Sequence, residues 1–284
     1  MADTVFNDGN STGVWSDAAN WTAGKPAAGE SWQISADCSC DSDESAAVLG
    51  AGTVDAATTL TLTGVGKVYV SEADVTIAGT LALDGGTLRL TSTGATTRSI
   101  VVDGSITGTA NCGSNDIELS SAQNTRTQVL IDTSGASIVG AGAGTLIHIV
   151  EVGAARGQIY LYNTAPITIS YVHFAGLYRI QVTTAMATFT QCLIDDCYRA
   201  FCATRCVLDL DRCTISNNTS SGFLVEYASY GGYVRAKDCT FDGNTVDLNV
   251  DAGRLIWHPT GCMRPTTDIE AGATLTIVPT HRGS

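Results

Sequence analysis

Four stretches decide how this chain is read: Ile167-Thr-Ile169-Ser-Tyr-Val172-His-Phe174, Ala187-Thr-Phe189-Thr-Gln-Cys192-Leu-Ile194, Leu208-Asp-Leu210-Asp-Arg-Cys213-Thr-Ile215 and Val234-Arg-Ala236-Lys-Asp-Cys239-Thr-Phe241. Each carries apolar residues at the same four offsets. The first two alternate with polar residues, the period of a strand with one buried face. Two residues then intervene before alternation resumes, which marks a corner where a second strand begins. Val172, Cys192, Cys213 and Cys239 thus form one expected inward column. Their spacing of about 20–26 residues is the period of a solenoid, not of a globule. No segment shows the 3.6-residue period of helical repeats. Parallel strands joined by coiling need crossovers, and these are overwhelmingly right-handed. The expected fold is therefore all-β, a single-stranded right-handed parallel β-helix.

Working outward, Ser216-Asn217-Asn218-Thr219 and Asp242-Gly243-Asn244-Thr245 follow the last two corners. Asn218 and Asn244 both stand five residues past the column cysteine. Asn suits turns and forms stacked side-chain ladders. Upstream, short bursts such as Leu60-Thr-Leu62, Val68-Tyr-Val70, Leu81-Ala-Leu83 and Leu88-Arg-Leu90 alternate between glycines. The repeat of residues 165–250 resembles the pectate-lyase-like parallel β-helix family, a likeness that speaks to fold and hardly to function. Residues 1–50 hold three of the four tryptophans and few repeats. The expected organisation is an N-terminal Trp-rich cap over 1–50 and a β-helix over 51–284.

Residues 15–30 contain Trp15, Asn20, Trp21, Gly24, Pro26, Gly29 and Glu30 at the spacing W-x4-N-W-x2-G-x-P-x2-G-[DE]. This resembles the entry motif that precedes β-helices in bacterial surface proteins and tailed-phage virion proteins. The first coil of a solenoid has no neighbour below it, so Trp15, Trp21 and Trp32 are expected to cover its apolar end. Carbohydrate binding by the indole faces is the rival reading. The resemblance implies a structural protein on a virion surface, a capsid decoration or cement protein or a spike. It also implies a homotrimer that contacts other virion proteins and, in some settings, a host-surface glycan. The alternatives are a tailspike-type enzyme on polysaccharide and a bacterial surface adhesin.

Composition narrows the chemistry. The 284 residues carry a formal charge of −13 with no basic run, so neither nucleic acid nor an anionic membrane is an expected partner. The first residues lack the basic and apolar regions of a signal peptide, which points to synthesis in a host cytoplasm before display. Ten cysteines are expected mostly as small buried hydrophobes, with disulfides or a metal as alternatives. Cys38-Ser-Cys40, in a polar setting, is the expected site of an exposed thiol. Asp196 and Asp211 are the weak catalytic candidates, because a cross-coil cluster of Asp196, Asp211 and Asp238 would bring carboxylates to glycosidase distances. The Gly-His-Gly and Arg-Ile-Lys motifs of β-helix polygalacturonases are missing from the sequence, and the four histidines show no triad order. The expectation is a non-enzyme without a resident cofactor or metal.

Overall fold

The structure is a computed structural model. It describes residues 3–278 except 95, 114–115, 123–125, 154–156, 163–165, 226–230, 252, 263–264 and 272. The described residues form a parallel β-solenoid of about ten turns, built from three sheets of twelve, eleven and eight strands. One turn shows the plan. Arg179–Thr183 lies in the first sheet, Met186–Thr190 in the second and Leu193–Asp195 in the third. The chain then returns to the first sheet as Arg199–Thr204, parallel to and beside the strand it left. The only helix among the described residues is the single turn Ala18–Asn20.

Alternation in the sequence becomes alternation of faces. Thr59–Thr63, Lys67–Ser71 and Thr80–Asp84 each bury their two leucines or valines and turn the intervening residues outward. The four decisive stretches stack in the register that their alignment demands. Ile167 pairs with Ala187, Ala187 with Leu208 and Leu208 with Val234. Phe174 pairs with Ile194, Ile194 with Ile215 and Ile215 with Phe241. Val172, Cys192, Cys213 and Cys239 precede these last residues by two and are all buried. A one-residue slip would turn every one of these side chains to the other face, so the shared register is strongly fixed.

Corners are made in two ways. In the later coils a single non-glycine residue takes left-handed backbone just before the column: Tyr171, Gln191, Arg212 and Asp238 have φ of 57°, 50°, 53° and 52°. Earlier corners use glycine for space. A Cβ on Gly79 would lie 2.2 Å from the Asp55 carbonyl oxygen, and one on Gly104 would lie 2.0 Å from that of Gly79.

The tryptophans gather at the N-terminal end. Trp15 packs edge-on to Trp21 and Trp32 with ring centroids 4.7 and 5.5 Å apart, and Phe6 packs against Trp21 at 5.2 Å. All four rings are buried, and Trp21 Nε1 donates to the Trp15 carbonyl at 2.9 Å. The other motif residues hold this cluster. Asn20 is fully buried, donates to Thr12 Oγ1 and the Val14 carbonyl, and accepts from the Asn10 amide. Gly24 and Gly29 take positive φ, and Glu30 accepts from the Ala27 amide at 2.7 Å. Trp32 lies so close over Gly52 that a Cβ there would fall 2.1 Å from the indole. Sheet pairing is continuous across residue 50, since Thr4–Phe6 and Trp32–Ile34 belong to the first sheet and Cys38–Cys40 to the second.

Candidate functional site

The cluster expected from Asp196, Asp211 and Asp238 is not formed. Asp211 ends a strand of the second sheet, outward between Thr190 and Lys237. It pairs with Arg212 at 2.8 Å and Lys237 at 3.7 Å. Asp238 occupies the next corner. Asp196 lies beyond the other edge of the third sheet, where its left-handed backbone matches that of Asn217 one coil on. The width of a sheet thus separates Asp196 from the other two. Asp209, also outward, is held by Arg235.

The cysteine column is apolar in character and longer than the repeat suggested. Cys213 Sγ hydrogen-bonds the Phe189 carbonyl at 3.4 Å, and Cys239 Sγ the Leu210 carbonyl at 3.5 Å. Cys262 extends the stack, with its sulfur 3.2 Å from the Cys239 amide nitrogen. The sequence signal was there in Gly261-Cys262, another left-handed residue before a cysteine. All ten cysteines are free thiols. Burial pushes Cys197 and Cys206 up to about 12, which suppresses the reactive thiolate. The expectation of an exposed thiol at Cys38 or Cys40 is corrected. Both are buried, because Cys38–Cys40 is a strand paired with Leu60–Leu62 that turns its sulfurs inward. Burial raises both thiols, Cys40 to about 12.

Asn218 and Asn244 form a ladder. Asn218 Nδ2 donates to Asn244 Oδ1 at 2.7 Å, and the Asn218 amide donates to the same oxygen at 3.1 Å. Cys197, the residue at this position one coil earlier, donates its amide to Asn218 Oδ1. Asn244 Nδ2 donates to the Ile215 carbonyl at 2.9 Å. Asn218 is fully buried, so the ladder satisfies backbone groups that water does not reach.

Two outward constellations escaped sequence reasoning. On the third sheet His148 and His173 are register partners on adjacent strands. Their Nδ1 atoms lie 3.1 Å apart, and His173 Nε2 lies 2.5 Å from Asp195 Oδ1. Asp116 accepts from the His148 and Gly113 amides at 2.8 Å. Burial, then the neighbouring His173, lowers the pKa of His148. Both histidines are half-buried on the outer face. His258 packs against Tyr233 with centroids 4.8 Å apart, and His281 lies outside the described residues.

The second constellation is a polar row on the first sheet. Gln158 Nε2 donates to Gln128 Oε1 at 2.7 Å, and Gln128 Nε2 to Ser99 Oγ at 2.9 Å. Arg179 Nε donates to Gln158 Oε1 at 3.3 Å. Beside them Tyr178 and Tyr198 stack at 5.2 Å with planes 9° apart. Arg126 and Arg179 lie over Tyr178, and Arg199 lies over Tyr198. Side-chain ladders of this kind hold a long parallel sheet in register.

Among the described residues no helix is long and apolar enough to cross a membrane. No family model, no curated protein and no solved structure matches the chain.

Proposed function

We propose that the chain is a structural protein of a tailed-phage virion surface, a decoration protein or spike displayed as a homotrimer and attached to other virion proteins. The observation that carries this reading is the tryptophan end. Every residue of the W-x4-N-W-x2-G-x-P-x2-G-[DE] motif but Pro26 has a task in the network just described, and Pro26 is buried beside it. That motif resembles one found in displayed proteins, and here it acts as a lid on a solenoid. Register pinned by ladders on several faces gives the stiff, repetitive body that such a role needs. The outward Asp209 and Asp211, engaged with Arg235, Arg212 and Lys237, serve the body of the coil in this reading.

Three measurements test the proposal. Antibodies to the purified chain should label the outside of particles from the producing cells, and sedimentation equilibrium should give three times the 29.4 kDa chain mass. Particles that carry no label overturn the virion role, and a monomer overturns the trimer. Polysaccharide turnover that disappears in Asp196→Ala or Asp211→Ala overturns the non-enzymatic reading and puts the tailspike-type enzyme in its place.

A further inference from the structure

Two imidazoles that face each other Nδ1 to Nδ1 have few ways to be comfortable. His173 Nε2 meets the Asp195 carboxylate, so neutral His173 carries its proton there and turns a lone pair at Nδ1 toward His148. His148 must then supply a proton at its own Nδ1 or place a second lone pair 3.1 Å away. The second arrangement is repulsive until a cation lies between the two nitrogens. Their separation suits such a cation. Two ligand nitrogens at about 2.0–2.1 Å from one ion stand about 2.9 Å apart in a cis square-planar arrangement and about 3.3 Å apart in a tetrahedral one. The observed 3.1 Å falls between.

We propose that His148 and His173 form a site for one divalent late-transition ion, with nickel, copper and zinc as the class. Asp195 is its positioning residue. A carboxylate on the far nitrogen of a ligating histidine fixes the ring and raises its basicity, the usual outer partner of such a ligand. The strands supply the rest. Residues paired across parallel strands point the same way, so the register of His148 with His173 aims both rings out of one face. The Asp116 carboxylate pins the backbone beneath by accepting the His148 amide. Among the described residues no group of three or more His, Cys, Asp or Glu side chains converges. The protein therefore gives two nitrogens and water completes the shell. Two imidazoles with water favour nickel, copper and zinc over magnesium and calcium, which take oxygen ligands.

Titration calorimetry on the untagged full chain with nickel chloride, and separately with zinc chloride, tests the site at pH 7.5. The expected result is one equivalent bound, with magnesium and calcium silent. His148→Gln and His173→Gln should each weaken nickel at least tenfold. Asp195→Asn should weaken it by about 10–100-fold. Copper bound to the wild type should show two equatorial nitrogens in its electron paramagnetic resonance spectrum. Thermal melts without metal establish that each variant folds. Absence of a one-equivalent site in the folded wild type overturns the proposal. So does binding that persists unchanged in the His148→Gln/His173→Gln double variant, which would assign the ion to other groups such as the thiols.

Discussion

The first half of the solenoid and the second turn their corners by different means. Between residues 60 and 110 the chain turns where a glycine lets one coil press on the next. Added Cβ atoms at Gly66, Gly79, Gly86 and Gly104 would all fall within 2.5 Å of a backbone oxygen of the coil before. Between residues 171 and 239 the corner residue carries a side chain in left-handed backbone, and a valine or cysteine follows inside. The first device is steric and tolerates no Cβ. The second is conformational and accepts a modest backbone penalty for each residue held there. The ends of the core differ in step. The early coils begin on the packed tryptophans, whereas Phe174, Phe189, Phe201, Phe223 and Trp257 make an aromatic spine through the later coils, with neighbouring centroids 5.0–6.3 Å apart.

The largest expected effect is at the tryptophan end. Trp15→Ala should cost about 3–5 kcal/mol, because it removes a ring that touches both other indoles. Trp21→Ala should cost about as much, since it also loses the bond to the Trp15 carbonyl. Denaturant melts read both. An unchanged midpoint for Trp21→Ala would mean that the ring is exposed and free to bind, which restores the carbohydrate reading. Next comes the early corner. Gly104→Ala should destabilise by about 3 kcal/mol, the upper range for overpacking, since the Gly79 carbonyl oxygen stands where its Cβ must go. A neutral Gly104→Ala would remove the steric half of the comparison.

The Asn ladder lies in the later coils, and Asn218→Ala should cost about 1–3 kcal/mol by leaving the buried Cys197 amide without its acceptor. Thermal melting of Asn218→Ala beside Asn244→Ala checks it. The more buried Asn218 should matter more. The cysteine column is more forgiving. Val172 already occupies it, so Cys213→Val should change stability by under about 1.5 kcal/mol. A larger loss would show that the column requires sulfur rather than volume.

The fold was legible because its decisive signal is local and repeated. Within each of the four stretches both strands and the corner lie in eight residues, so one alignment predicted the register of two sheets. The motif at Trp15–Glu30 was legible for a similar reason, since its residues are close in sequence. The Cys38–Cys40 strand was misread because its polar flanks, Asp37 and Asp41-Ser42-Asp43, resemble a loop. Only the pairing with Leu60–Leu62 shows that Cys-Ser-Cys is itself an alternation. His148 and His173 lie 25 residues apart, and nothing in either neighbourhood marks the other. Their meeting depends on an inter-coil register that the Asp116 and His148 coils, with their irregular lengths, did not reveal. The Asp196 cluster failed for the converse reason. Their placement on successive coils suggested stacking, but the third sheet, only three residues long there, separates Asp196 from the corner that holds the other two.

The smallest effect is the sharpest test of the comparison. Gln191 holds φ of 50° at its corner, where its amide donates to the Asp211 carbonyl at 2.8 Å, a bond that glycine would keep. A non-glycine residue in left-handed backbone costs roughly 1–2 kcal/mol, while glycine gives back roughly 0.5–1 kcal/mol through the freedom of the unfolded chain. Gln191→Gly should therefore leave stability unchanged or raise it by up to about 1 kcal/mol. Urea titration of Gln191→Gly beside Gly104→Ala reads the two devices against each other. One variant removes a side chain at a corner and the other adds one, and only the second is expected to lower stability. A loss of stability in Gln191→Gly would mean that the glutamine side chain itself holds the corner, and the left-handed turn would then be a consequence of its packing rather than the element that bends the chain.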